Sequence, residues 1–280
     1  MSGGWRRFWM GLTTASGLAR RGFFIPYRYA GGVRPPAGTP AYPALASRFR
    51  AAEPAFLDLL AAMADLAPDL AAIGREPPPQ PRWTQDWFPG LDAAAAYALV
   101  RRRKPARIVE VGSGHSTRFL ARAIRDGGLA TRLTAIDPEP RADLAGLPIS
   151  LIRKTLQDAG SGAFEDLAPG DFVTIDSSHI LMPGTDVDLL LNGVLPSLPA
   201  GVAVHIHDIF LPDGYPARWD WRGYNEQQGV APLIASGGYD LLFASHYVRT
   251  RMAERADSGA IGKLPLVAGA CESSLWLLKK

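Results

Sequence analysis

The segment Ile108-Val-Glu-Val-Gly112-Ser-Gly114-His-Ser116-Thr117 constrains the fold more than any other part of the chain. Its first residues are mostly β-branched and read as a buried strand. Two glycines one residue apart follow, and then hydroxyl side chains of the type that begin helices. A strand that runs through glycine into a helix opens a βαβ unit. Glycine lets the turn be tight and lets backbone N–H groups approach a ligand. The turn alone is not specific, because many nucleotide-binding sheets use it.

The flanking pattern extends this unit into a domain. Apolar runs at 107–111, 132–136, 149–152, 172–175 and 202–206 read as strands. Helical stretches at 116–126, 186–198 and 225–236 separate most of them. A further helix at 91–103 carries Asp92 in its first turn and three arginines in its last, matching the helix dipole. Strands alternating with helices predict a parallel sheet covered on both faces. Two last runs, 239–247 and 273–278, have no helix-length pattern between them and predict a closing antiparallel pair. The expected class is α/β: a Rossmann-like, seven-stranded, mostly parallel sheet with an antiparallel last hairpin, plus an N-terminal helical extension. With 47% hydrophobic residues the chain can bury such a core. No run of 18 uncharged apolar residues predicts a membrane span. The single cysteine, Cys271, excludes an intramolecular disulfide and fits a reducing, cytoplasmic setting.

The proline-rich stretch Glu76-Pro-Pro-Pro-Gln-Pro81 reads as a stiff linker. It divides the chain into a basic arm with a helical extension, 1–80, and a ligand-binding domain, 81–280. Residues 40–74 read as one or two helices, with Pro54 and Pro68 marking starts or kinks. Residues 1–52 hold eight arginines and no acid, while the rest of the chain is mildly acidic. Within this arm Trp5, Phe8, Trp9, Leu12 and Ala19 fall near one helical face, flanked by Arg6, Arg7, Arg20 and Arg21; an extended stretch, 22–30, follows. Such an arm can pack on the main domain, contact a membrane surface peripherally, or help form a homodimer. Nucleic acid is disfavoured as a partner: the body is acidic and no Asn/Asp-Pro-Pro-Tyr type base-flipping motif occurs.

Acids placed near the glycines sharpen the reading. Glu110 stands two residues before Gly112, where a dinucleotide pyrophosphate would be repelled. The third glycine of a dinucleotide fingerprint is replaced by Thr117. Asp137, at the end of the second strand, can accept from both hydroxyls of a ribose. Glu-x-Gly-x-Gly followed by a strand-end Asp resembles the class I S-adenosylmethionine-dependent methyltransferases, over residues 83–280. The longer strings around Gly112 and His207-Asp-Ile-Phe210 resemble a bacterial branch similar to the catechol- and macrocin-type O-methyltransferases. The resemblance implies a cofactor loop of Glu110, Gly112, Ser113, Gly114 and Ser116, with Asp137 on the ribose. It also implies that Gln157 and Asp158 lie at the adenine edge. His115 sits in the same loop and either touches the cofactor carboxylate or caps the helix.

The fourth strand ends in Asp176-Ser-Ser-His179 and the fifth in His207-Asp208. Carboxyl ends of adjacent parallel strands meet at the crevice where such sheets bind ligands. Asp176, His179, His207 and Asp208 therefore form the candidate catalytic group. Two carboxylates and two imidazoles suit either general-base chemistry or a divalent cation. The resemblance implies magnesium, or a similar metal, on Asp176, His207 and Asp208; a borderline ion accepts imidazole better than magnesium does. His179 stands where the catechol-type enzymes carry a lysine base. The loop 211–224, with Asp213, Tyr215, Arg218, Trp219, Trp221 and Arg222, is expected to meet the substrate, with Trp83, Trp87 and Phe88 as an opposite wall. The function expected is methyl transfer from S-adenosylmethionine to a hydroxyl of a small-molecule acceptor. The alternatives are a nicotinamide-dependent oxidoreductase and a cofactor-binding, non-catalytic partner protein.

Overall fold

The computed structural model describes residues 3–33, 42–259 and 261–280. The expected start of the helical extension at residue 40 lies outside them. The chain opens with α1 (Gly3–Ala15), a short 3-10 turn (Ala30–Gly32), and three helices, α2 (Pro43–Ala51), α3 (Glu53–Asp65) and α4 (Ala67–Ala72). Proline occupies the first turn of α2, α3 and α4, where its missing N–H costs nothing. The remaining elements are α5 (Gly90–Arg103), β1 (Arg107–Val111), α6 (His115–Asp126), β2 (Arg132–Ile136), β3 (Ser150–Ile152), α7 (Leu156–Ala159), β4 (Phe172–Ile175), α8 (Asp186–Leu189), α9 (Leu195–Ser197), β5 (Ala203–Ile206), α10 (Glu226–Ser236), β6 (Tyr239–Ala244), α11 (Ser245–Arg251), α12 (Ala253–Ala256) and β7 (Leu275–Lys279).

The seven strands form one sheet in the order β3-β2-β1-β4-β5-β7-β6. The first five are parallel, and β7 pairs antiparallel with both β5 and β6. The order reverses between β1 and β4, so the crevice opens where their carboxyl ends diverge. Central strands are buried on both faces, as a covered parallel sheet requires. Helix α5 is buried from Gly90 to Val100, and its alanines permit close packing against neighbouring elements. The helices after residue 42 are continuous with this core. Phe49 and Phe56 pack against Tyr247, and Phe56 meets Phe243 edge-on at 5.9 Å.

Two local expectations change. The run 239–247 is a strand only to Ala244; α11 takes up Tyr247 and Val248, and two further short helical pieces precede β7. The apolar residues continue past 244, so pattern alone extends the strand. Beyond Ala244 the chain turns into α11, where Tyr247 packs against Phe49 and Phe56, supplied from far away in sequence. The helix at 186–198 is also not uniform. It runs from α8 through a π-turn (Leu190–Val194) into α9. Pro196 has no N–H to complete the α-helical ladder at that point.

Candidate active site

Gly112 carries the chain across the carboxyl end of β4 with φ of 78°. A Cβ there would lie 1.8 Å from the Asp176 carbonyl oxygen. Only glycine lets the β1 loop and the β4 loop touch, so this contact fixes how Asp176 is presented. A crevice of about 700 Å³ opens beside it, bordered by Gly112, Asp137, Gln157, Asp176, Ser177 and Asp186. The Asp137 carboxylate accepts from the Ser113 N–H at 2.6 Å, the Ser113 hydroxyl at 2.9 Å and the Glu139 N–H at 2.8 Å. It thus faces the crevice in one fixed orientation.

Other residues expected at the cofactor stand behind it. Glu110 is buried and accepts from the Ser116 and Thr117 hydroxyls at 2.6 and 2.5 Å. Burial pushes its carboxyl up to about 8, with those two bonds opposing. It ties the loop to the start of α6 and does not border the crevice, so it does not stand against a bound ligand as the sequence suggests. Thr117, in place of the third glycine, also accepts the Gly114 N–H at 2.9 Å. His115 points away from the crevice; burial, with Arg118 and Arg82 nearby, pulls its imidazole down to about 4. Gln157 borders the crevice, and its amide donates to the Gly184 carbonyl at 3.2 Å. Asp158 instead accepts from the hydroxyl of Thr155, the residue that caps α7, at 2.8 Å.

The four expected catalytic residues do converge. His179 Nε2 lies 3.3 Å from an Asp176 oxygen and 3.4 Å from an Asp208 oxygen. His207 Nδ1 lies 3.5 Å from Asp208 and 3.7 Å from Asp176. Each imidazole is held from behind by a buried acid. His179 Nδ1 bonds Glu226 at 2.8 Å, and His207 Nε2 approaches Asp92 at 3.3 Å. Asp92 is itself fixed by the Ser273 and Ser274 N–H groups at 3.0 and 2.8 Å. Burial opposes both imidazolium ions, but the carboxylates around them outweigh it and hold both rings well above the ordinary histidine value. Burial likewise pushes Asp176 up, and the two imidazoles more than reverse it, holding that carboxyl well below its usual range.

Among the described residues three non-glycine residues have positive φ, and two of them are His179 (60°) and Asp208 (58°). That conformation costs about 1–2 kcal/mol per residue. Such strain concentrates where a site holds side chains in set positions.

The sequence pattern reads Asp92 as a helix-terminus acid and points to no role for Glu226. The signal for Asp92 was an acid inside the otherwise apolar turn Gly90–Ala96, a stretch buried throughout. His205, within β5, lies inside the sheet layer against Trp276, with Nε2 2.8 Å from the Ser274 hydroxyl. Burial pulls its imidazole down to about 3, with the neighbouring His207 adding to the effect.

A second pocket, of about 180 Å³, shares Asp176 and Arg141 with the crevice. Its walls include Trp87, His179, Asp208, Trp219, Arg222 and Tyr224. Tyr224 packs against His179 with ring centres 4.5 Å apart and planes inclined by 41°, and Arg222 lies over Trp219 at 4.5 Å. The loop expected to meet the substrate therefore does border the catalytic group. Asp213, Trp83 and Phe88 are instead buried: Asp213 binds Arg251 and His246, and Trp83 and Phe88 pack on Phe119.

The expectation of a divalent metal on Asp176, His207 and Asp208 finds no support. Among the described residues no group of three or more His, Cys, Asp or Glu side chains is arranged to hold a metal ion. The donor set also differs from what magnesium requires, which is six oxygen ligands in near-octahedral array. Here an imidazole replaces one oxygen ligand, and the inward nitrogens of both histidines face the two carboxylates as counter-charges.

Residues 109–209 match the family profile described as a methyltransferase domain. The match spans β1 to β5 of a sheet that has the Rossmann-like, mostly parallel form with the antiparallel last strands expected from the sequence. The chain is similar in structure to the SAH-bound methyltransferase PaMTH1 of Podospora anserina (17% identity; 92% of this chain and 99% of that one; TM-score 0.44). It is also similar to an O-methyltransferase of Bacillus cereus in complex with SAH (13% identity; 80% and 91%; TM-score 0.43). A third similar structure is the O-methyltransferase TomG of Streptomyces achromogenes with SAM (16% identity; 79% and 89%; TM-score 0.41). No curated protein matches the chain.

Proposed function

We propose that this protein moves the sulfonium methyl group of S-adenosylmethionine to a hydroxyl of a small-molecule acceptor, with His179 receiving the hydroxyl proton. One observation carries the reading. The crevice and the smaller pocket meet at Asp176, and His179 presents Nε2 at that junction while Glu226 holds its other nitrogen.

In this reading the cofactor occupies the crevice. Asp137 accepts from its ribose, Gln157 lies near its base, and Gly112 with Ser113 and Gly114 forms the floor. Glu110, Ser116 and Asp158 act on the loops rather than on the ligand. Asp92, Asp176, Asp208 and Glu226 give the junction an excess of carboxylates over imidazoles, which favours a positively charged sulfonium there. The acceptor lies in the pocket between Trp219, Tyr224 and Arg222. Its oxygen attacks the methyl carbon in line as the carbon–sulfur bond breaks, so the cofactor leaves as the neutral thioether. The hydroxyl proton passes to His179. Positioning supplies most of the acceleration in such a displacement.

His179 accepts a proton only when neutral, and the surrounding carboxylates favour its charged form. The rate is therefore expected to rise with pH beyond the range of an ordinary histidine.

The test is a calorimetric titration with S-adenosylhomocysteine, followed by turnover on a panel of hydroxylated acceptors with and without a chelator. Micromolar 1:1 binding is expected, together with chelator-resistant turnover. His179→Ala should keep the binding and lose turnover by roughly 10²–10⁴-fold. Unchanged turnover in that variant removes His179 as the base. Chelator-sensitive turnover would restore a metal to the site. Tighter binding of NADH than of S-adenosylhomocysteine would favour the oxidoreductase.

A further inference from the structure

The N-terminal arm takes no part in the chemistry above, yet its surface is unlike the rest of the molecule. On α1, Trp5, Phe8 and Trp9 form a cluster with ring centres 5.7–5.8 Å apart. All three are about half exposed, as is Leu12 one turn on. The stretch that follows exposes Phe24, Ile25, Tyr27 and Tyr29 even more, between 58% and 71%. A contiguous apolar surface of this kind on a folded chain marks a contact surface. Interleaved with it are Arg6, Arg7, Arg20, Arg21 and Arg28, and no acid occurs before Glu53.

The arm is seated beside the catalytic openings. Arg7 donates to the Asp220 carbonyl at 2.8 Å, on the 3-10 segment Ala217–Arg222 that supplies Trp219 and Arg222 to the acceptor pocket. Phe23 forms part of the rim of the cofactor crevice.

We propose that this arm docks the protein on an anionic phospholipid surface. Charge complementarity selects that partner. Tryptophan and tyrosine settle at the headgroup level, and arginines without acidic neighbours are drawn to a negative leaflet. A second copy of the chain would bring the same uncompensated arginines against each other, which disfavours a face-to-face dimer here. No helix among the described residues is long and apolar enough to cross a membrane, so the contact is peripheral. Because Phe23 rims the crevice and Arg7 holds the segment that walls the smaller pocket, the face that meets the bilayer lies beside the openings through which ligands enter.

The experiment is co-sedimentation of the whole protein with phosphatidylcholine vesicles, alone and with a quarter phosphatidylglycerol, while tryptophan emission is followed. Binding to the mixed vesicles with a blue shift is expected, at least tenfold weaker on pure phosphatidylcholine and weakened by 0.5 M salt. Phe8→Ala/Trp9→Ala should bind at least tenfold more weakly with an unchanged melting temperature. Arg20→Gln/Arg21→Gln should lose mainly the preference for the anionic lipid. Failure to bind the mixed vesicles overturns the proposal. So does equal binding by the Phe8/Trp9 variant, or a dimer in sedimentation velocity that this variant abolishes while vesicles are ignored. None of these outcomes depends on methyl transfer.

Discussion

Replacing Glu226 by glutamine separates the charge behind His179 from the shape of the site. Glutamine keeps an oxygen where the Nδ1 proton is accepted, at 2.8 Å in the parent protein. What is lost is a buried negative charge beside an imidazolium. Hydrogen bonds to charged groups contribute about 1.5–3 kcal/mol and neutral ones about 0.5–1.5 kcal/mol. The difference of about 1–1.5 kcal/mol corresponds to roughly one pH unit. His207 shares Asp176 and Asp208 with His179, so the two rings titrate as a pair and their midpoints belong to both. The sum of the two midpoints, read from ring-proton NMR of the whole protein, should fall by about one unit in Glu226→Gln. The sign of the stability effect follows. A histidine raised in the folded state stabilises fully below its unfolded value of about 6.5, and loses that stabilisation as pH rises through the folded value. Thermal stability of the parent should therefore decline as pH rises above about 6.5, and in Glu226→Gln the decline should be complete at lower pH and smaller in total. Titration of both rings at or below 6.5 in the parent, or no shift in the variant, would refute the reasoning.

Gly112→Ala places a methyl group 1.8 Å from the Asp176 carbonyl oxygen, so the two loops must part by about 1.5 Å. Calorimetry should show S-adenosylhomocysteine affinity reduced roughly a hundredfold, about 2.7 kcal/mol. Phe56→Ala empties a fully buried position against Phe243 and Tyr247 and should destabilise by about 3–5 kcal/mol. That corresponds to a fall of roughly 5–9 °C in melting temperature by calorimetry. A fall within a degree or two would show that the N-terminal helices contribute little to the core.

Much of the fold is legible in the sequence because it rests on local periodicity and punctuation. The strands at 107–111, 132–136 and 172–175, and the helix after Gly114, follow from apolar pattern, glycine spacing and the hydroxyl residues at the turn. Strand ends in a parallel sheet share one edge, so Asp176, His179, His207 and Asp208 could be grouped without coordinates. Their grouping is a property of topology, and topology follows from the order of elements.

What a carboxylate touches is a different matter. Glu110 looked like a ligand contact from its distance to Gly112, yet it turns inward onto Ser116 and Thr117. Asp92 and Glu226 lie 115 and 47 residues from the histidines they hold, a separation no local pattern encodes. Tyr247, which the apolar pattern assigns to the strand, sits instead in α11 against Phe49 and Phe56, more than 180 positions away. The sequence by itself determined which elements form and which residue types reach the open edge of the sheet, since both depend on neighbours along the chain. Only the tertiary structure decided which acids face the crevice and which stand behind the imidazoles. That choice depends on burial and counter-charge, and both are supplied by segments that meet only when the chain has folded.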